Sequence, residues 1–188
     1  MKVRPTGVIP PMTTPFRKDG EIDFKLVAQQ VDWLIGAGSH GMAAGGSTGE
    51  GHTLDHEEYR DLMAATVEAA KGRVPVIAGI IVDSTRDAIR RGRLVRDMDV
   101  AALQVTPVHY LFKPDEQAMV DHFRRMADET GMPIIIYNVV PWSYLSPALL
   151  TRIMNEVPLV VGVKQSAGDL KLFADLMMMA PDKLIYSA

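Results

Sequence analysis

The chain has 188 residues, enough for one domain with a substantial core, and 47% of them are apolar, as in ordinary globular proteins. Its 20 basic and 23 acidic residues are interspersed and sum to −3, which leaves no basic stripe for nucleic acid and no polybasic patch for an anionic membrane. Cysteine is absent and no long apolar segment follows Met1, so the expectation is a cytoplasmic protein without disulfides, thiolate metal sites, signal peptide or membrane span.

Short β-branched runs alternate with longer amphipathic segments from one end to the other. Strands are predicted over Gly7 to Pro10, Gly41 to Ala44, Val74 to Ile80, Ala101 to Val105, Pro133 to Tyr137, Val160 to Lys164 and Leu184 to Ser187. Helices fill the intervals. Asp23 precedes Phe24 to Ala37, Asp55 with Glu58 forms a capping-box pattern ahead of a helix to Lys71, and Ser84 with Asp87 repeats the device. Pro114 opens the segment to Thr130, Ser146 and Pro147 the one to Glu156, and Gly168 and Asp169 the one to Ala180.

Strict alternation predicts an α/β fold with a parallel sheet. A dinucleotide-binding open sheet would place a Gly-rich turn after the first strand, where this chain has Pro10, Pro11, Met12, Thr13, Thr14 and Pro15, so a single (β/α)8 TIM barrel domain over residues 1–188 is preferred. Such barrels run to about 250 residues. With about seven strands, this one reads as C-terminally truncated, and its open edges favour association with another chain.

In a barrel the chemistry sits at the C-terminal ends of the strands. The run Gly45, Gly46, Ser47, Thr48, Gly49, Glu50 follows one of them; it is either a plain βα turn or a loop whose converging N–H groups and hydroxyls hold a carboxylate. Tyr137 ends another, either as an aromatic cap or as a phenol that relays protons. Lys164 ends a third, after Leu159, Val160, Val161, Gly162 and Val163. A lysine there either snorkels to solvent or, when desolvated, becomes an amine able to attack a carbonyl. One rim carrying an amine, a phenol and an anion-binding turn has the parts needed to condense or cleave a 2-oxo acid. His52 and His56 have i, i+4 spacing, but the Glu of an HExxH motif is absent and Asp55 reads as a helix cap, so no metal is expected. Met177, Met178 and Met179 are expected to pack on the barrel with one or two exposed.

At these residues the chain resembles the dihydrodipicolinate synthase and N-acetylneuraminate lyase family of pyruvate-dependent (β/α)8 enzymes. The resemblance runs through Thr14-Pro15-Phe16, Gly20 to Asp23, the turn at 45–50, Arg73 to Gly79, Val105-Thr106-Pro107, Tyr137-Asn138 and Gly162-Val163-Lys164. It implies a class I aldolase or lyase in which Lys164 forms an imine with pyruvate or another 2-oxo acid, Tyr137 shuttles protons, Ser47 belongs to the proton relay, and Thr48, beside Gly46, holds the carboxylate. It implies no metal or organic cofactor, an aldehyde as the second substrate, and a homo-oligomer with a family tendency to tetramers. The family tyrosine that enters a neighbouring subunit's site meets Val108, His109 and Tyr110 here, and either His109 or Tyr110 fills that place. The arginine that clamps the second substrate's carboxylate in dihydrodipicolinate synthases has no counterpart in Val139 to Tyr144, which points to a different aldehyde. The alternatives are a dihydrodipicolinate synthase proper, with that contact relocated, and a non-catalytic truncated member.

Overall fold

A computed structural model describes residues 5–111, 113–166 and 168–187. Helices and strands alternate as α1 (Phe24–Gly36), β1 (Met42–Ala44), α2 (His56–Ala70), β2 (Val76–Ile80), α3 (Thr85–Val95), β3 (Val100–Val105), α4 (Glu116–Thr130), β4 (Ile134–Asn138), α5 (Pro147–Glu156), β5 (Val160–Gln165), α6 (Leu170–Met179) and β6 (Leu184–Ser187). Strand order in the sheet follows chain order. The chain divides into two compact units, Met1–Ile81 with Arg90–Leu103 and Val82–Ile89 with Gln104–Ala188, so the division passes through α3 and β3.

The expected first strand, Gly7 to Pro10, is an extended segment instead. It is held by His40 N to Val8 O at 2.8 Å and Ala43 N to Pro10 O at 3.0 Å, and it ends in an isolated bridge between Pro11 and Ala43. Two consecutive prolines offer no N–H groups, so a continuous ladder cannot form there. Pro75 likewise delays β2 to Val76, although its carbonyl still accepts from Met42 N at 3.1 Å.

In the first unit, β1 pairs in parallel with β2, and α1 packs on α2. The Asp23 side chain caps α1 by accepting from Leu26 N, and Val27, Val31 and Leu34 form its buried stripe. The Asp55–Glu58 capping box of α2 is complete, and Lys71 ends that helix in the left-handed conformation.

In the second unit, β4, β5 and β6 pair in parallel. Asp115, not Pro114, caps α4, because its carboxylate accepts from Ala118 N at 2.8 Å; Pro114 lies outside the helix. Ser146 and Pro147 open α5 as expected, and Asp169 opens α6. That last helix buries little. Leu176 is its one buried residue among those described, and Met177, Met178 and Met179 are all exposed, Met178 to 83%. The expectation that part of this run packs inward is therefore wrong, because Leu176 alone occupies the inward position of that turn.

The register of β5 determines what its far end presents. Ile134 pairs with Val160, but the next pair is Ile135 with Gly162, so Val161 is an extra residue. Unbroken pairing from Val160 would set Tyr137 against Val163 and Asn138 against Lys164. The shift sets Tyr137 against Lys164 and Asn138 against Gln165. At the same place β6 comes so close that a Cβ on Gly162 would overlap the carbonyl oxygen of Leu184, its register partner. Gly162→Ala should therefore destabilise the fold by about 1–3 kcal/mol through overpacking against backbone, read as a lowered urea midpoint; an unchanged midpoint would mean that β6 does not approach β5 as described.

His122 supplies a second check. It lies buried on α4 with Nδ1 2.9 Å from Thr85 Oγ1, and burial lowers its pKa to about 4 from an ordinary 6.5. A histidine depressed in the folded state contributes stability that is complete above the unfolded pKa and is lost as pH falls from about 6.5 toward about 4. Denaturation at pH 7 and pH 5 should differ by about 2 kcal/mol on this account, and His122→Leu should remove most of that difference. An equal pH dependence in the variant would contradict it.

Candidate active site

The first unit carries the glycine-rich turn. Thr14 Oγ1 donates to Gly49 O at 2.6 Å, and the N–H groups of Gly49 and Gly51 both donate to Gly46 O at 3.1 Å while Glu50 N donates to Ser47 O at 3.2 Å. These bonds leave out the N–H groups of Gly46, Ser47 and Thr48. Gly46 is buried, and Ser47 and Thr48 are exposed. The folding-back of the turn demands glycine. A Cβ on Gly51 would overlap Gly45 O, one on Gly79 of β2 would meet Gly46 N at 2.5 Å, and Gly45 has φ +66°.

A residue that motif reading passes over fixes the turn from behind. Arg91 of α3, 5% exposed, donates from Nη1 to Gly51 O at 2.8 Å and from Nη2 to Leu54 O at 2.7 Å, with its guanidinium 5.1 Å from the centroid of the buried Tyr59 ring. Two carbonyls and an aromatic face satisfy a cation that would otherwise be costly to bury. Its signal in the sequence is faint, since an arginine on a helix normally reads as exposed.

The second unit carries the amine and the phenol. Lys164 is only 6% exposed, and its Nζ lies 4.3 Å from the centroid of the Tyr137 ring on the neighbouring strand. Burial lowers its pKa. Contact with the ring face favours the ammonium, whereas desolvation of the amine acts the other way. The snorkelling alternative is excluded by that burial.

On the opposite face of the same two strands, Asn138 Nδ2 donates to Gln165 Oε1 at 2.7 Å and to Leu145 O at 3.0 Å, while Asn138 Oδ1 accepts from Leu145 N at 3.0 Å. This fully buried amide couples β4, β5 and the segment that follows β4, so the loop beyond Tyr137 is fixed.

That loop makes a one-turn 3₁₀ helix over Pro141–Ser143. Trp142 Nε1 donates to His109 O at 2.7 Å, Ser143 Oγ to Val108 O at 3.2 Å, and Lys113 Nζ to Tyr144 O at 2.6 Å. The indole is nevertheless 62% exposed. His109 is engaged within its own chain, with Nδ1 2.9 Å from Pro107 O and Nε2 3.2 Å from Asp83 Oδ1. Tyr110 is 71% exposed. Of the sequence-predicted residues, Lys164 and Tyr137 are thus brought together. His109 and Tyr110 stand apart in character, one tied and one exposed, and Gly46, Ser47 and Thr48 form their own turn in the first unit.

Comparison with known proteins covers nearly the whole chain. The 4-hydroxy-tetrahydrodipicolinate synthase of Maridesulfovibrio salexigens is 38% identical over 179 residues, which are 94% of this chain and 60% of that protein; that of Roseobacter denitrificans is 41% identical over 90% of this chain and 58% of its own. Among solved structures, the chloride-inhibited dihydrodipicolinate synthase of Acinetobacter baumannii complexed with pyruvate matches with a TM-score of 0.93 at 31% identity, covering 98% of this chain and 64% of that one. A prophage protein of the dihydrodipicolinic acid synthase family from E. coli K12, in complex with pyruvate, matches at 0.92 and 25%, covering 97% and 63%. The chain therefore spans about 60% of the length of the relatives it matches, and the (β/α)-barrel expectation is borne out over that span. A model of the dihydrodipicolinate synthetase family matches residues 4–188, and the chain belongs to that family.

Proposed function

We propose that this chain carries the imine-forming half-site of a class I aldolase or lyase that joins pyruvate, or another 2-oxo acid, to an aldehyde or reverses that reaction. The observation that carries the reading is Lys164, an amine buried at a strand end with its pKa drawn down and a phenol ring against it. A neutral amine is the nucleophilic form, so the lowered pKa raises the reactive fraction near neutrality. The pyruvate complexes of the two structural relatives support the choice of keto acid.

In this reading the Lys164 amine adds to C2 of the keto acid, and the carbinolamine loses water to give the imine. The positive imine nitrogen then accepts the electron pair released when a proton leaves C3. The resulting enamine attacks the aldehyde carbon, the new carbon–carbon bond forms, and water hydrolyses the imine to return the free amine. Tyr137 is assigned the proton transfers, Ser47 a place in the proton relay, and Gly46 with Thr48 the keto acid's carboxylate through N–H and hydroxyl donors. No metal or organic cofactor enters this scheme.

Trp142 and the arginine-free segment 139–144 favour an aldehyde without a carboxylate at the mouth. An authentic 4-hydroxy-tetrahydrodipicolinate synthase is the second reading, supported by relatives of that name at 38% and 41% identity. Because His109 is tied to Asp83, the exposed Tyr110 is the phenol assigned to a neighbouring subunit's site in a homo-oligomer. Among the described residues no helix is long and apolar enough to cross a membrane, and a cytoplasmic location is part of the reading.

Pyruvate consumption with a panel of aldehydes, with and without a carboxylate, tests these assignments. Lys164→Ala should lose all turnover while keeping its circular dichroism spectrum; turnover retained in that variant would remove the imine mechanism. Tyr137→Phe should lower kcat by roughly 10²-fold with little change in pyruvate affinity, as loss of a proton-transfer group does. An unchanged kcat would strip Tyr137 of its role. A folded chain inactive with every aldehyde would favour the non-catalytic alternative.

A further inference from the structure

The register that sets Lys164 opposite Tyr137 also sets it opposite Tyr186 on β6. Paired residues on parallel strands project to the same face, so Tyr137, Lys164 and Tyr186 form one row with the amine in the middle. The row has a fourth member. Tyr186 Oη donates to Oε1 of Gln104 on β3, 3.0 Å away, and that glutamine is buried. Burial raises the Tyr186 pKa, and the nearby Tyr137 raises it further, so its phenol is neutral near physiological pH.

We infer that Tyr186, tethered by Gln104, is a positioning residue for Lys164: its ring walls off the β6 side of the amine and holds it toward Tyr137. This rests on the imine reading of Lys164. A lysine side chain has rotamer entropy to lose, and a misplacement of about 1 Å at a reacting centre costs on the order of 10²-fold in rate. Confinement between two rings reduces both losses. The wall is also uncharged. Besides Lys164 itself, Tyr137 and Tyr186 are the titratable groups in the row, and Gln104 does not titrate. On α5, which packs on β5, Arg152 and Glu156 pair with each other, and Glu156 also pairs with Arg124; on α6, Lys171 pairs with Asp175. No carboxylate in that set is placed to hold the amine protonated.

The test is the pH dependence of borohydride trapping with pyruvate, followed by mass spectrometry, in the wild type, Tyr186→Ala, Tyr186→Phe and Gln104→Leu. Labelling of Lys164 by acetic anhydride without pyruvate is measured in parallel. Opening the wall in Tyr186→Ala admits water, so the midpoint of both reactions should move up by about one pH unit, with trapping about tenfold slower at neutral pH. Tyr186→Phe and Gln104→Leu keep the ring and cut only the tether, so trapping should slow severalfold without a midpoint shift. Wild-type rates and midpoints in folded Tyr186→Ala would overturn the inference. Should that variant fail to fold, wild-type trapping in Gln104→Leu would overturn it equally. No adduct in the wild type, with the anhydride midpoint still shifted in Tyr186→Ala, would instead sink the imine reading and leave the wall standing.

Discussion

The one-residue shift between β4 and β5 is the constraint on which the proposed chemistry depends. Side chains on a strand alternate faces, so displacing the pairing by one residue exchanges what meets across the two strands. With Val161 as the extra residue, the amine of Lys164 meets the ring of Tyr137 on one face, and Gln165 meets Asn138 on the other. The two pairs have different roles. One is a buried amine kept short of water; the other is a satisfied amide cluster that fixes the loop after β4 through Leu145. The shift also has a steric condition, since the close approach of β6 at Gly162 leaves no room for a side chain. Gly162 therefore belongs to the machinery by geometry, without touching any reacting group.

The glycine-rich turn of the first unit follows a different logic. Its backbone folds back on itself tightly enough that Gly51 and Gly79 are both sterically required, and Arg91 holds the carbonyls that follow. An anion-binding turn needs N–H groups that are aimed and not otherwise spent. The internal bonds run from Gly49, Glu50 and Gly51, which leaves Gly46, Ser47 and Thr48 outside them. A turn held rigid on one side, with these three N–H groups outside its internal bonds, is the arrangement that the proposed carboxylate-holding role needs.

Much of this was legible in the sequence because it is local. Capping residues are read by chain neighbours, so Asp23, Asp55 and Ser146 are found where the pattern put them. Lys164 stood out because a charged group after an apolar run is anomalous whatever surrounds it. The features that escaped reading depend on partners distant in the chain. Nothing in Val160-Val161-Gly162 announces which of the three is unpaired, and Tyr186 acquires meaning only through its register with Lys164 and its bond to Gln104, 82 positions earlier. Arg91 is hidden for the same reason: its acceptors lie about forty residues back. At Pro10 and Pro11 the apolar pattern suggests a strand, but absent N–H groups leave a bridge in its place.

The account stands on Lys164 as a nucleophile, and its most direct test is the intact mass of the unaltered protein after incubation with pyruvate and borohydride, with the modified peptide then mapped. A single reduced pyruvyl adduct on Lys164 is the result expected. An unmodified mass from folded protein, or an adduct spread over the exposed lysines with Lys164 untouched, would contradict it.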